Sequence, residues 1–125
     1  MSTSRSTLRA AFSKRAAMPR IADSVEPLDC QNMVEVRAGV DAVDSALIEM
    51  LTRRFGYMDA AARIKTDRNV VRDEARKAQV IANVETAASQ AGLPVEAITR
   101  IWENLVEASI SYELSEWDRR DANRV

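Results

Sequence analysis

From Asn32 to Thr66 the chain runs without a proline, and its apolar residues recur at a helical period. Val36, Val40, Val43, Leu47 and Met50, then Tyr57, Ala61 and Ile64, form a 4-3-4-3 seam, the pattern of a helix packed lengthwise on other helices. Asn32 followed by Glu35 has the spacing of a capping box, which places the start of the helix. At 1.5 Å per residue such a rod is about 50 Å long, more than a small monomeric domain covers by itself. A chain of 125 residues with this element therefore points to a helical fold in which the rod finds cover on another copy.

The remaining chain supports an all-α reading. TDRNVVRD, residues 66–73, breaks the periodicity and reads as a loop, with Asp73 placed to cap a second helix from about Glu74 to Gln90. That helix presents Ala78, Ile81, Val84 and Ala88, and Gly92 is its expected stop. Leu93-Pro94 opens a third helix to about Arg119, with Val95, Ile98, Trp102, Val106, Ser109, Glu113 and Trp117 on one stripe. Three glycines, three prolines and few aromatic residues argue against a turn-rich β fold. Charges interrupt every apolar run well short of the roughly 18 residues of a membrane span, so no membrane partner is expected.

Residues 1–22 carry Arg5, Arg9, Lys14, Arg15 and Arg20 and no acid, a charge of +5, whereas the rest of the chain is at −6. We expect a basic, disordered extension over residues 1–25, a helical domain over 26–120 and a short tail over 121–125. A Ser- and Arg-rich, acid-free extension is also what an organellar targeting peptide looks like. The expected location is cytoplasmic, with an organelle as the alternative. The acidic body and the lack of aromatic residues among the basic ones argue against a nucleic-acid partner.

Chemistry is constrained by what is missing. With no histidine and the single Cys30, the chain has no Ser-His-Asp relay, no histidine metal site and no internal disulfide. Polar residues nevertheless invade the apolar faces: Arg54 sits within the first seam, Lys65 ends the seam beside it, and Ser109 and Glu113 lie on the stripe of the third helix. Any one of them reads simply as a rim cation or a surface ion pair. Jointly they read as a buried anion site, because burying a charge costs several kcal/mol unless an opposite charge meets it at the same depth. Arg54 and Lys65 are three turns apart, about 16 Å, within converging reach of a small ligand. Arg37 lies about 25 Å before Arg54 on the same rod, so it joins that ligand only from a second copy of the chain.

These residues carry a resemblance. The spacing R-x6-D-x9-R-x10-K over Arg37, Asp44, Arg54 and Lys65, then V-R-D-x-x-R over Val71–Arg76, then ITRIWENLVEAS followed by Glu113, resembles the all-helical (type II) chorismate mutase family across about residues 30–117. The resemblance implies three helices per chain, a long first helix, and an intertwined two-fold homodimer whose two active sites are each completed by the partner's first helix. It implies that Arg54 pairs with one carboxylate of a small dicarboxylate substrate and Arg37 of the other chain with the second. Lys65 would donate to the ether oxygen, Asp73 would lie near the ring hydroxyl, Arg76 would add a carboxylate-side cation, and Ser109 would make a polar contact. Glu113 stands where the family has Gln or Glu as a second donor to the ether oxygen. To donate, Glu113 must carry its proton, so activity is expected to favour acid.

The implied reaction, chorismate to prephenate, needs restraint of the reactive conformer and a field at the ether oxygen, with no metal or other cofactor. Two features depart from the mutase pattern. Lys77 stands where mutases usually have a glutamate that binds the substrate hydroxyl, and P-L-D-C-Q-N-M-V-E-V-R, residues 27–37, resembles the approach to the first helix in isochorismate pyruvate lyases. A lyase giving salicylate and pyruvate is thus the alternative. A non-enzymatic helical dimerisation module, with polar seam residues setting register, is the alternative of another class.

Overall fold

Asn32 begins the long helix as its spacing predicts. The Glu35 amide donates to Asn32 Oδ1 at 2.9 Å, and the Glu35 carboxylate accepts in return from the Gln31 amide, also at 2.9 Å. In the computed structural model, which describes residues 20–123, helix α1 then runs over Met33–Ile64. Glu35 in its first turn and Arg63 in its last complement the helix dipole. The all-helical fold expected from the sequence is met: α2 spans Glu74–Gln90 and α3 spans Val95–Ala122, and among the described residues the other elements are three short 3-10 turns, with no strand.

Two units divide the chain between Gly56 and Tyr57, and each is taken by itself. In the first, 3-10 turns at Ile21–Asp23 and Pro27–Asp29 lead into the first part of α1. Residues 1–19, most of the expected extension, lie outside the described residues. Ala42 is buried, but the seam around it is open: Val40, Val43, Leu47 and Ile48 are about half exposed and Met50 is 66% exposed. So wide an apolar face on one helix is out of keeping with a solvated surface.

The second unit holds the core. Asp73 caps α2 by accepting from the Arg76 amide at 3.0 Å. At the other end Gly92 turns left-handed at φ 72°, and the Gly92 and Leu93 amides donate back to Ser89 and Ala88, a Schellman stop that a residue with a Cβ resists. α3 continues through Ala122, past the expected start of the tail.

Packed α2 and α3, with the last turns of α1, enclose Ala62, Val71, Val106, Ile110 and Trp117, flanked by Val80, Ile81 and Leu114. The stretch 66–73 is the expected loop, and the 3-10 turn Arg68–Val70 lies within it. Val71 in that loop is only 4% exposed, because the 3-10 turn ends on it and its side chain fills the core. Ala78, expected on the buried face of α2, is exposed, and the larger Val80 packs on the core beside Ile81. No helix of the described residues is long and apolar enough to cross a membrane.

Candidate active site

Lys65 follows directly on α1, its amide continuing the helical hydrogen bonds to Ala61. One face of α3 holds it at both ends. The Trp117 indole N–H donates to the Lys65 carbonyl at 3.0 Å, and the Lys65 ammonium donates to Glu113 Oε2 at 2.8 Å. Glu113 and Trp117 are one turn apart on α3, so a single helix edge fixes both the backbone and the charge of Lys65. Ser109 lies one turn before Glu113, and its hydroxyl donates to the Leu105 carbonyl at 2.6 Å. Ser109 and Glu113 are each 4% exposed, within a stripe that otherwise buries Val106, Ile110 and Trp117.

The pair is unequal in burial: the Glu113 side chain is 6% exposed, the Lys65 side chain 30%. The carboxylate is thus the more deeply buried partner and the lysine side chain the more accessible one. An ion pair of this kind is a poor way to stabilise a core, since apolar residues of similar volume serve as well or better.

The α2 candidates are arranged differently. Asp73 is exposed and its Oδ1 serves as the cap. Arg76 is exposed and donates to Gln79 Oε1 at 2.6 Å. Lys77 is drawn onto α3, where its ammonium lies 2.9 Å from Glu107 and 3.1 Å from Glu103. Glu107 also accepts two hydrogen bonds from Arg72, at 2.7 and 3.1 Å. The Arg72 hydrogen bond, then that of Lys77, holds the Glu107 carboxyl down at about 2, against a modest opposing effect of burial. The same contacts raise Lys77, Glu107 first and Glu103 second.

Of the two remaining cations, both in the first unit, Arg37 is exposed and Arg54 is half-buried. Sequence reasoning missed Trp117 as a clamp and missed the acids Glu103, Glu107 and Asp118 that bind the α2 side. For Trp117 a signal existed, because an indole on a buried stripe needs an acceptor for its N–H. For the acids there was none, since each lies on an ordinary polar flank of α3.

The chain is similar to a known protein family and to a curated protein. The profile of the family described as chorismate mutase type II matches residues 36–114, more than half of the chain. An isochorismate pyruvate lyase of Pseudomonas aeruginosa (strain PAO1) is 23% identical over 91 residues, which cover 73% of this chain and 90% of that protein.

Proposed function

Because this chain belongs to the chorismate mutase type II family, whose members act on chorismate-related substrates, we propose that it rearranges chorismate to prephenate. The step is unimolecular. An ether C–O bond breaks while a C–C bond forms, and negative charge grows on the ether oxygen. No nucleophile, metal or proton relay is required, which suits a chain with no histidine and one cysteine.

The observation that carries the reading is the Lys65–Glu113 pair, whose carboxylate is buried on an otherwise apolar stripe of α3. An ammonium has three N–H donors, of which Glu113 takes one. The others serve the ether oxygen and the adjoining carboxylate, in a setting dry enough for a charge-assisted hydrogen bond to count. Glu113, by accepting one of those N–H donors, orients the ammonium toward the ether oxygen. Arg54 holds one substrate carboxylate and Arg37 of a second copy holds the other, which restrains the reactive conformer. Ser109 and Arg76 add polar and cationic contacts, and the ring hydroxyl falls to Asp73. The open apolar seam of the first unit supports the second copy: Val40, Val43, Leu47 and Met50 are what an intertwined homodimer covers.

A second reading, isochorismate pyruvate lyase, is favoured by two observations. Lys77, at the position where mutases bind the hydroxyl through a carboxylate, is a cation already engaged by Glu103 and Glu107, and the similar Pseudomonas protein is named as such a lyase. Incubation with each substrate separates the two. Prephenate from chorismate is the expected result. Salicylate and pyruvate from isochorismate, with chorismate left intact, transfers the assignment to the lyase, and turnover of neither refutes both.

A further inference from the structure

Three cations in succession leave the α1–α2 connection and the start of α2 for a single edge of α3. Arg68 grips Asp118 through two hydrogen bonds, Nε to Oδ1 at 2.7 Å and Nη2 to Oδ2 at 3.2 Å. Arg72 grips Glu107 through two more, at 2.7 and 3.1 Å, and Lys77 closes on Glu107 and Glu103. Glu107 and Asp118 are three turns apart, so the acids form one stripe about 16 Å long. That stripe lies about a third of a turn round α3 from Glu113. Between the two arginines Val71 plugs into the core. The segment from Arg68 to Lys77 is therefore strung along the flank of α3, with an apolar peg in its middle and ion pairs at its ends. Asp73 and Arg76 ride on it.

We propose that Glu107 and Asp118 are positioning residues, the fixed half of an ionic clasp that holds residues 68–77 on α3 and so sets Asp73 and Arg76 at the substrate. The inference rests on the reading of the site given above. It assigns Lys77 to the clasp, which is why a lysine is accommodated at that position. Two forces hold the segment, and salt separates them. The Val71 peg is indifferent to ionic strength, whereas the Arg68–Asp118 and Arg72–Glu107 pairs are 44–51% exposed and are screened as the Debye length shrinks. Bidentate geometry and shared carboxylates make this network stronger than isolated surface pairs. Substrate affinity thereby acquires a salt dependence that comes from the clasp, in addition to that of the dianion meeting its arginines.

The test uses the full chain and the variants Glu107→Gln and Asp118→Asn, with two readouts. In the absence of substrate, amide hydrogen exchange at Val70 and Val71, whose N–H groups close the 3-10 turn, is expected to quicken about fivefold, with the middle of α3 unchanged. With chorismate, KM is expected to rise about fivefold while kcat stays within about twofold, and the wild type should approach the variants' KM as ionic strength goes from about 0.05 to 0.5 M. The paired exchange Arg68→Glu with Asp118→Arg should recover most of the protection. Unchanged exchange at Val70 and Val71, exchange rising equally throughout α3, a KM offset that persists at high salt, or a fall in kcat alone would each overturn the clasp. Should a variant fail to fold, the wild type decides alone, because salt must loosen Val70 and Val71 selectively. If the wild type turns over neither chorismate nor isochorismate, the proposed function fails while the exchange readout still decides the clasp.

Discussion

Removing Lys65 and removing Glu113 should have very different costs. Lys65→Met deletes the ammonium but leaves a carboxylate whose side chain is 6% exposed. Breaking a buried pair in this way costs about 3–5 kcal/mol when both partners are dry. Here the Lys65 side chain is 30% exposed and so partly solvated, and we expect about 2–3 kcal/mol. Glu113→Leu is milder, because the stranded lysine, already partly exposed, turns its head to solvent while its stem stays packed; we expect less than about 1 kcal/mol. The double variant Lys65→Met, Glu113→Leu leaves no charge and should regain most of the loss. For a chain of this length the single lysine variant would lower Tm by about 8–12 °C. The assay is a denaturant titration followed by helical circular dichroism at fixed protein concentration, which removes any contribution from mass action. All three variants should be inactive, so the double variant would be stable and dead, the signature of a pair retained for chemistry. A Lys65→Met cost within about 0.5 kcal/mol of zero, or a cost smaller than that of Glu113→Leu, would refute the account of which partner is buried.

Mixing Arg37→Ala with Arg54→Ala tests whether two copies share each site. Separately both should lose at least about two orders of magnitude in rate, and after unfolding and refolding together the mixture should recover about a quarter of parental activity, since half the dimers would hold one intact site of two; no recovery contradicts the shared site. Tyr112 donates to Asp59 at 2.6 Å, and burial first, then this hydrogen bond, pushes its phenol up to about 12 from an ordinary 10.0. A folded value above the unfolded one means that the contribution is fully present below pH 10.0 and is lost as pH climbs toward about 12. Tyr112→Phe should therefore lose up to about 1 kcal/mol at neutral pH and show a shallower alkaline decline in a pH series of denaturant titrations. Gly92→Ala should cost about 1 kcal/mol in the same assay at neutral pH, because open space surrounds the site and only the left-handed backbone at φ 72° resists a Cβ.

Features set by near neighbours in the chain were legible in advance. The start of α1 at Asn32 and Glu35, the cap at Asp73 and the stop at Gly92 are all found at the residues expected. Each depends on hydrogen bonds spanning three to five residues, so the local sequence contains both partners. The polar stripe on α3 was legible for a similar reason, since the helical period brings Ser109, Glu113 and Trp117 to one edge wherever that helix packs. Val71 was not. Its burial depends on a short 3-10 turn delivering it to Val106 and Ile110, and an aperiodic stretch carries no pattern from which to infer that.

The class of fold, the helix termini and which residues of each helix share a face follow from the order of residues alone, through the 3.6-residue period and capping groups a few positions away. Only the tertiary structure decided that Glu113 meets Lys65 across 48 residues, that Trp117 ties down the carbonyl of that same lysine, and that Lys77 turns to Glu107 and Glu103. A charge on a helix face announces that it needs a partner of opposite sign. Which partner it finds is settled by the packing of α2 and the last turns of α1 on α3, where long flexible side chains choose among several acids by an ångström or two of approach.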